Sequence, residues 1–507
     1  MNNTFYIDNI TWNDLSLDEI YSRLNSCRTS AGEDYLYKRI RNPFIKDCEE
    51  FDEQIKLLDE IKASENNFPQ IEKALASIGK LKGYKFSEEL EGFKDAKNES
   101  NIRHYIIDLI VIFAFILIFI MPGPGMVLFF GSIAYSVSDY FKTKNIISGK
   151  LTVFNYLIKV IKLVKYFSYR DDDKSDVLNK KINRLYEIRT EFKPFMMGTF
   201  IISEGARTTS NPLSIVFDYI RMIFHVDIIK YNSMINFVKE HLEEANEAYT
   251  ILGIFDSMIC LANVKDAELN ITKLNTAKLC KPILREDATE IKLCNAIHPL
   301  VKDAVPNSIN TSKNVLITGC NASGKSTFLK LVALNALFAQ SFGFCFADEY
   351  EAPYVKIYSS MALNDSIDAG ESYYMAEIKS LKRIIDESNE TDSKVLCVID
   401  EVLRGTNTVE RIAASVEILK SLCMDNVLCF GATHDIELTE LLQDSYTNYH
   451  FSEEITENDV LFNYQIKIGP SESRNAIRLL SVLGYDKDIV AKATNRADSF
   501  MKTGSWK

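Results

Sequence analysis

The stretch Asn314-Val-Leu-Ile-Thr-Gly-Cys-Asn-Ala-Ser-Gly-Lys-Ser-Thr327 constrains this chain more than any other. It reads as a short β-branched strand, Val315 to Thr318, then a glycine turn, then a helix start carrying Phe328, Leu329, Leu331, Val332 and Leu334. From Gly319 to Ser326 the spacing is G-x-x-x-x-G-K-S. Glycines at both ends let the backbone curl so that successive N–H groups point inward, and the helix that follows adds the positive end of its dipole. Such a loop is built to hold phosphate oxygens. Lys325 is placed to reach the β- and γ-phosphates and Ser326 to offer a hydroxyl to Mg²⁺. The expected nucleotide-binding positions are Gly319, Ser323, Gly324, Lys325, Ser326 and Thr327, with ATP and Mg²⁺ as the bound species. A loop of this kind needs a strand before it and an apolar helix after it, and both are present.

Two further strands of the same texture follow. Val395-Leu-Cys-Val-Ile-Asp-Glu401 is an apolar run ending in two carboxylates. In a phosphate-loop domain such an end holds the metal through Asp400, while Glu401 orients and deprotonates the attacking water. Alone, the pair would be an ordinary solvated strand end; its position downstream of the loop gives it meaning. Val427-Leu-Cys-Phe-Gly-Ala-Thr-His434 is a third buried strand, and His434 at its end is a candidate for polarising the γ-phosphate. Asn364 to Glu377 is a turn of small residues leading into a helix, with Gly370 and Ser372 at the helix start. A helix N-terminus can bind phosphate, and it is more often simply capped.

Net charge is -12, a poor footprint for wrapping nucleic acid, which composition therefore does not support as a partner. The ten cysteines include no C-x-x-C pair, and Cys397 and Cys429 sit in apolar runs, as reduced buried thiols do. The first residues, Met-Asn-Asn-Thr-Phe-Tyr-Ile-Asp, carry no basic or apolar leader pattern, so no cleaved signal is expected. At 507 residues, about three domains are expected.

Upstream of residue 290 the pattern is helical, with Leu17, Ile20 and Leu24, then Phe51, Ile55, Leu58 and Ile61, at helical spacing. Leu109 to Ser138 is different: it contains no charged residue. A membrane-spanning helix needs ~20 apolar residues, and Pro122-Gly-Pro-Gly125 divides the run into two shorter halves. The expectation is a transmembrane hairpin over 102–141, with Arg103, Lys142 and Lys144 keeping both ends cytoplasmic. The competing assignment is a buried core hairpin, which would need apolar cover on every side. Over residues 151–168, Lys159, Lys162 and Lys165 recur among aliphatics. Two assignments fit them equally: a helix lying among lipid headgroups, or a packed lever helix with a solvated lysine edge.

Together these segments resemble the ATPase domain of the MutS family, in the ABC class. Asn321 occupies the family's asparagine in Gly-Cys-Asn-Ala-Ser-Gly-Lys-Ser-Thr, and Asp400-Glu-Val-Leu-Arg-Gly-Thr-Asn-Thr408 looks like its D-E-x-x-R-G-T segment. Ala432-Thr-His434 looks like its A-T-H, Gly370-Glu-Ser-Tyr-Tyr-Met-Ala-Glu377 its signature segment, and His298-Pro299 its entry to the domain. Leu24 to Pro43 is similar to the start of the family's helical core. The resemblance implies Asn321 at the nucleotide, and Gly370 and Ser372 reaching the γ-phosphate of an opposing subunit. It also implies a head-to-tail homodimer through the ATPase domains. Departures are plain as well. Glu371 stands where the family commonly has Arg, and Ala304-Val305 where an adenine-stacking aromatic is expected. The stretch before residue 10 is too short for a mismatch-reading domain, and the uncharged hairpin stands where DNA-clamping helices would follow the first core helices.

The expected architecture is multidomain, α and α/β. It runs as a helical core over 1–101, the hairpin over 102–141, a helical lever returning to the core over 142–285, and a P-loop ABC-type ATPase domain over 286–507. The expected function is a membrane-anchored MutS-like ATPase that couples dimer closure to lever movement. The alternatives are a DNA-processing ATPase of the mismatch-repair type, or a nucleotide-dependent membrane scaffold with little turnover.

Overall fold

The computed structural model describes residues 5–63, 68–83, 85–94, 100–167, 176–199, 212–265, 279–320, 323–361, 373–404, 406–455, 460–471, 477, 480 and 484–505. The chain divides into two compact units: Met1–Ser26, Tyr37–Ile55 and Asn263–Lys507 form one, and Cys27–Leu36 with Lys56–Ala262 the other. Helical segments and α/β sheet are both present, as expected.

The first unit contains ten strands among its described residues: β1 (Ile283–Leu284), β2 (Ile291–Ala296), β3 (Asn307–Thr311), β4 (Asn314–Thr318), β5 (Glu349–Ala352), β6 (Lys356–Ser360), β7 (Val395–Asp400), β8 (Val427–Thr433), β9 (Tyr446–Ile455) and β10 (Val460–Ile468). Six form one sheet in the order β10-β9-β4-β8-β7-β6. All its neighbours are parallel except the edge strand β10, which runs antiparallel to β9. β4, β7 and β8 are buried at every residue. This is why they read as unbroken apolar runs: a parallel strand covered on both faces has no polar side to show. Register sets Thr318 beside Thr433 and Asp400 beside Ala432, so the three strands end at one edge. The second sheet, β1-β5-β2-β3, is mixed.

The N-terminal helices divide differently from the linear expectation. Residues 5–26 and 37–55 pack within the α/β unit. Thr11 Oγ1 accepts from Ser359 N at 3.1 Å, and Asp14 Oδ2 accepts from Ser359 Oγ at 2.6 Å and Met361 N at 3.0 Å. Gln54 Nε2 donates to Ser341 O at 2.7 Å, and Gln340 Nε2 donates to Phe44 O at 2.9 Å. Helical periodicity identifies which face of a segment is apolar; it does not say which partner covers that face.

The second unit is helical. Asp256 accepts from Thr29 N (2.8 Å), Thr29 Oγ1 (2.6 Å) and Arg28 N (3.1 Å), capping the start of the Ser30–Arg41 helix. Burial pushes the Asp256 carboxyl up, against the pull of these bonds. Gly253 lies so close to this helix that a Cβ there would meet Ala31 O at 2.5 Å.

The hairpin differs in detail from the sequence reading. Ile102–Ile120 ends at Met121, and one helix then runs without interruption from Pro122 to Leu163. Pro122 occupies its first turn, where the N–H that proline lacks would have no helical partner anyway. Gly125 approaches the preceding helix closely, since a Cβ there would lie 2.6 Å from Ile118 N. Pro-Gly-Pro-Gly is therefore mostly helix start, and the expected boundary at residue 141 falls inside a helix. Residues beyond it pack inward. Val153, Phe154, Tyr156, Leu157, Ile158, Val160 and Ile161 are buried while Lys159 and Lys162 are exposed, the packed helix with a lysine edge. The hairpin itself faces outward: Leu109, Phe119, Val127 and Phe130 are 63–77% exposed. In the apolar window of Ile102–Ile120 only 22% is buried, against 78% in that of the equally long-enough Leu242–Val264, which is a core helix.

Replacing Asp256 by Ala leaves two backbone N–H groups and the Thr29 hydroxyl without their acceptor. D256A is expected to lower stability on the order of 3 kcal/mol, read as a drop in the urea midpoint of the full chain.

Candidate functional site

β4 delivers the glycine loop at the sheet edge. Gly319 (φ +146°) and Gly324 (φ +108°) take left-handed backbone conformations, and a Cβ on Gly319 would lie 2.9 Å from Phe451 O. Gly324 precedes the Lys325–Phe342 helix, whose apolar residues are buried between the sheet and its surroundings. Lys325 is buried, and its Nζ donates to Gly319 O and Cys320 O, both at 2.9 Å, and lies 3.4 Å from His434 Nε2. Burial pulls its pKa down, while Asp400 and Glu401 act in the opposite sense. Ser323 Oγ is buried inside the loop and finds no hydrogen-bond partner among the described residues. Ser326 and Thr327 are exposed, and Ser326 Oγ donates to Asp400 Oδ2 at 2.6 Å.

The end of β7 is held in an unusual backbone. Glu401 (φ 64°) and Leu403 (φ 59°) are both left-handed without being glycine, a conformation that costs about 1 kcal/mol or more at each residue. Buried Glu377 steadies this turn: its Oε1 accepts from Leu403 N at 2.6 Å and its Oε2 from Arg404 N at 3.2 Å. Arg404 Nη2 donates to Asp400 O at 3.0 Å, and Arg404 Nε lies 2.8 Å from Glu401 Oε2. Glu401 Oε1 in turn lies 2.8 Å from His434 Nε2. Burial works to raise the Glu401 pKa, but the His434 hydrogen bond and the charges of Arg404 and Lys325 outweigh it, so the carboxyl sits below its usual value. Next to His434, Asp435 accepts from Arg411 at 2.8 and 2.6 Å, tying the end of β8 to the Thr408–Ser421 helix.

Gly319, Ser323, Gly324, Lys325, Ser326, Thr327, Asp400, Glu401 and His434 therefore gather at one sheet edge. Asn321, Gly370 and Ser372 lie outside the described residues. Arg404 and Glu377 stand inside the Asp400–Thr408 and Gly370–Glu377 segments, yet their residue types alone point to no role. Their functions here depend on the left-handed turn at 401–403, which no periodicity reveals. The arrangement offers a hard-oxygen pair suited to a divalent cation, a loop suited to phosphate, and a carboxylate–imidazole pair suited to moving a proton.

Residues 315–501, which hold the loop and all three strand ends, match the family MutS domain V. Among the most similar relatives is the DNA mismatch repair protein MutS of Thermus thermophilus, 32% identical over 201 residues, covering 39% of this chain and 24% of the relative. The MutS of Lactobacillus acidophilus is 31% identical over 240 residues, 45% of this chain and 28% of that one. The MutS of Clostridium perfringens is 27% identical over 284 residues, 53% and 29% respectively. The chain thus spans between 24% and 29% of the length of these relatives.

His298, in the segment leading into the sheet, is buried and accepts from Leu300 N through Nδ1 at 3.2 Å. Burial, with the nearby Lys330 charge, pushes its pKa down to about 4. Its folded pKa lies below the unfolded one of about 6.5, so the unfolded chain binds the extra proton first as pH falls. Stability is therefore lost between pH 6.5 and 4. From pH 7 to pH 5 the wild type is expected to lose about 2 kcal/mol more than H298Q, measured by urea unfolding at the two pH values.

Proposed function

We propose that this chain is a MutS-like ATPase that binds ATP and Mg²⁺ at the Gly319–Thr327 loop and hydrolyses the γ-phosphate with Glu401 and His434. One observation carries the reading: the Ser326–Asp400 contact at 2.6 Å and the Glu401–His434 contact at 2.8 Å meet at the ends of β4, β7 and β8. The residues fit the ion. A hydroxyl and a carboxylate are hard oxygen donors of the kind Mg²⁺ takes, and the loop holds an unpartnered buried hydroxyl, Ser323 Oγ, beside a glycine where no Cβ fits. Ser326 and Asp400 would hold the ion, which when bound neutralises phosphate charge. Lys325 supplies positive charge at the phosphates, and burial confines that charge to the loop. Glu401, kept ionised by His434 and Arg404, orients the attacking water and takes its proton. His434 holds the Glu401 carboxylate in place and, through its 3.4 Å approach to Lys325, shares the phosphate-facing pocket.

The active assembly in this reading is a head-to-tail homodimer, with Gly370 and Ser372 of the second copy completing each site, as the MutS resemblance implies. The hairpin over 102–141 anchors the chain in a membrane with both flanking parts cytoplasmic; the outward apolar faces of its two helices support this. The Pro122–Leu163 helix, continuous from the hairpin into the helical unit, is the lever that movement of the ATPase would drive. The relatives are named as DNA mismatch repair proteins, which favours DNA as the load; the net charge of -12 speaks against it. Classical mismatch recognition is not part of the proposal.

E401Q is expected to reduce ATP turnover at least about 100-fold while ATP still raises the melting temperature of the purified protein. Turnover equal to wild type would remove Glu401 from the mechanism. The anchor is tested separately: the full chain should sediment with membranes and resist alkaline extraction, and recovery wholly in the soluble fraction would overturn it.

A further inference from the structure

We propose that His104, Asp139 and His225, within the helical unit, form a binding site for a divalent transition-metal ion of the zinc type. The inference is independent of the ATPase reading and touches none of its residues. All three side chains are buried, at 6%, 6% and 0% exposed, and one ligand atom from each lies within 4.8 Å of the others. They come from three separate elements: the Ile102–Ile120 helix, the Pro122–Leu163 helix, and the residue preceding the Val226–Glu240 helix.

Three observations point to an ion. First, the tautomer of His225 is fixed. Its Nε2 lies 2.9 Å from Ser136 O, and a carbonyl can only accept, so Nε2 carries the proton and Nδ1 keeps its lone pair. That lone pair faces His104 Nδ1 at 3.0 Å, where it accepts a hydrogen bond when His104 is protonated at Nδ1 and leaves two lone pairs facing one point when His104 is protonated at Nε2. Two ligand atoms on one tetrahedral ion, each ~2.05 Å from it, stand about 3.3 Å apart, close to this separation. A metal-bound imidazole that donates its other N–H to a backbone carbonyl is the usual supporting arrangement. Second, Asp139 has one oxygen committed and one free. Oδ1 pairs with Arg103, while Oδ2 is buried and finds no hydrogen-bond partner among the described residues. A buried carboxylate oxygen with no donor is left under-satisfied even when its partner oxygen is paired, and a cation meeting it relieves that. Third, His225 adopts a left-handed backbone (φ 46°, ψ 29°), so the chain maintains a strained residue to aim this ring inward.

The donor set, two imidazole nitrogens and one carboxylate oxygen, suits Zn²⁺ and its neighbours rather than Mg²⁺ or Ca²⁺, which take oxygen. Three protein ligands leave a fourth position for water. Binding needs both imidazoles neutral, with His104 entering as its Nε2–H tautomer, so no proton is released at neutral pH and affinity falls as pH drops. The ion would pin the open end of the hairpin, where its two helices are joined only by side chains, to the His225 turn.

The test uses the purified full chain, stripped of metal and dialysed against Zn²⁺, with Co²⁺ as a spectroscopic stand-in. The wild type is expected to bind one Zn²⁺ per chain at His104, Asp139 and His225 and, with Co²⁺, to give the visible bands of a tetrahedral site. H104Q and D139N keep size and hydrogen bonding and are expected to weaken that binding at least about 100-fold and abolish the bands. H241Q, at the half-exposed Glu191–His241–Glu244 cluster, should leave both unchanged. Equal binding by H104Q, D139N and wild type, or loss on H241Q alone, would overturn the proposal. If neither variant folds, the wild type decides: absence of stoichiometric Zn²⁺ uptake and of tetrahedral Co²⁺ bands refutes it.

Discussion

A strand covered on both faces can place polar chemistry only at its ends. β4, β7 and β8 obey that constraint throughout: their backbones are paired to neighbours and their side chains are enclosed. The candidate functional groups accordingly stand just past Thr318, at Asp400–Glu401 and at His434, and the parallel register brings these three ends to one edge. The loop, the carboxylates and the histidine are then neighbours because the sheet has no other place for them. Parallel sheets meet their ligands at the carboxyl ends of the strands for the same reason.

The turn at 401–404 shows how the site pays for this proximity. Two non-glycine residues in left-handed conformations would not persist in an isolated peptide. Here Glu377 takes the backbone N–H groups of Leu403 and Arg404, and Arg404 returns to the Asp400 carbonyl. Strain in the backbone is offset by charge-assisted hydrogen bonds that fix the Glu401 carboxylate between Arg404 and His434. The lowered Glu401 pKa is a consequence of the same arrangement: burial penalises the ionised form, and the hydrogen bond to His434 with the charges of Arg404 and Lys325 outweighs that penalty.

Much of this was legible in the residues. Gly319, Lys325, Ser326, Asp400, Glu401 and His434 could be named because each stands at a fixed offset from an apolar run, and the runs are local. Arg404 and Glu377 are not legible in this way, because their importance lies in contacts made across a turn whose backbone is left-handed. The N-terminal segments were legible as helices but not as partners of the α/β unit: Asp14 meets Ser359 across more than three hundred residues, and no periodicity carries that information. Pro122-Gly-Pro-Gly125 looked like a turn by composition. In fact the turn is confined to Met121, because proline in a first helical turn costs nothing. The same uninterrupted helix carries Lys159 and Lys162, and the burial of their neighbours selects one of the two assignments that composition leaves equal.

The 42-residue helix from Pro122 to Leu163 is about 63 Å long at 1.5 Å per residue. No proline follows Pro124 within it. An element of that kind conserves angular phase: the direction in which Val127 faces outward dictates the direction in which Phe154 faces inward, seven and a half turns away. Each residue contributes about 100° to that relation. Gain or loss of a single residue between the two would therefore turn one end against the other by more than a quarter revolution, while a change of seven would nearly restore it. Over residues 128–153, the phase relation thus depends on length and not on which side chains fill the positions between.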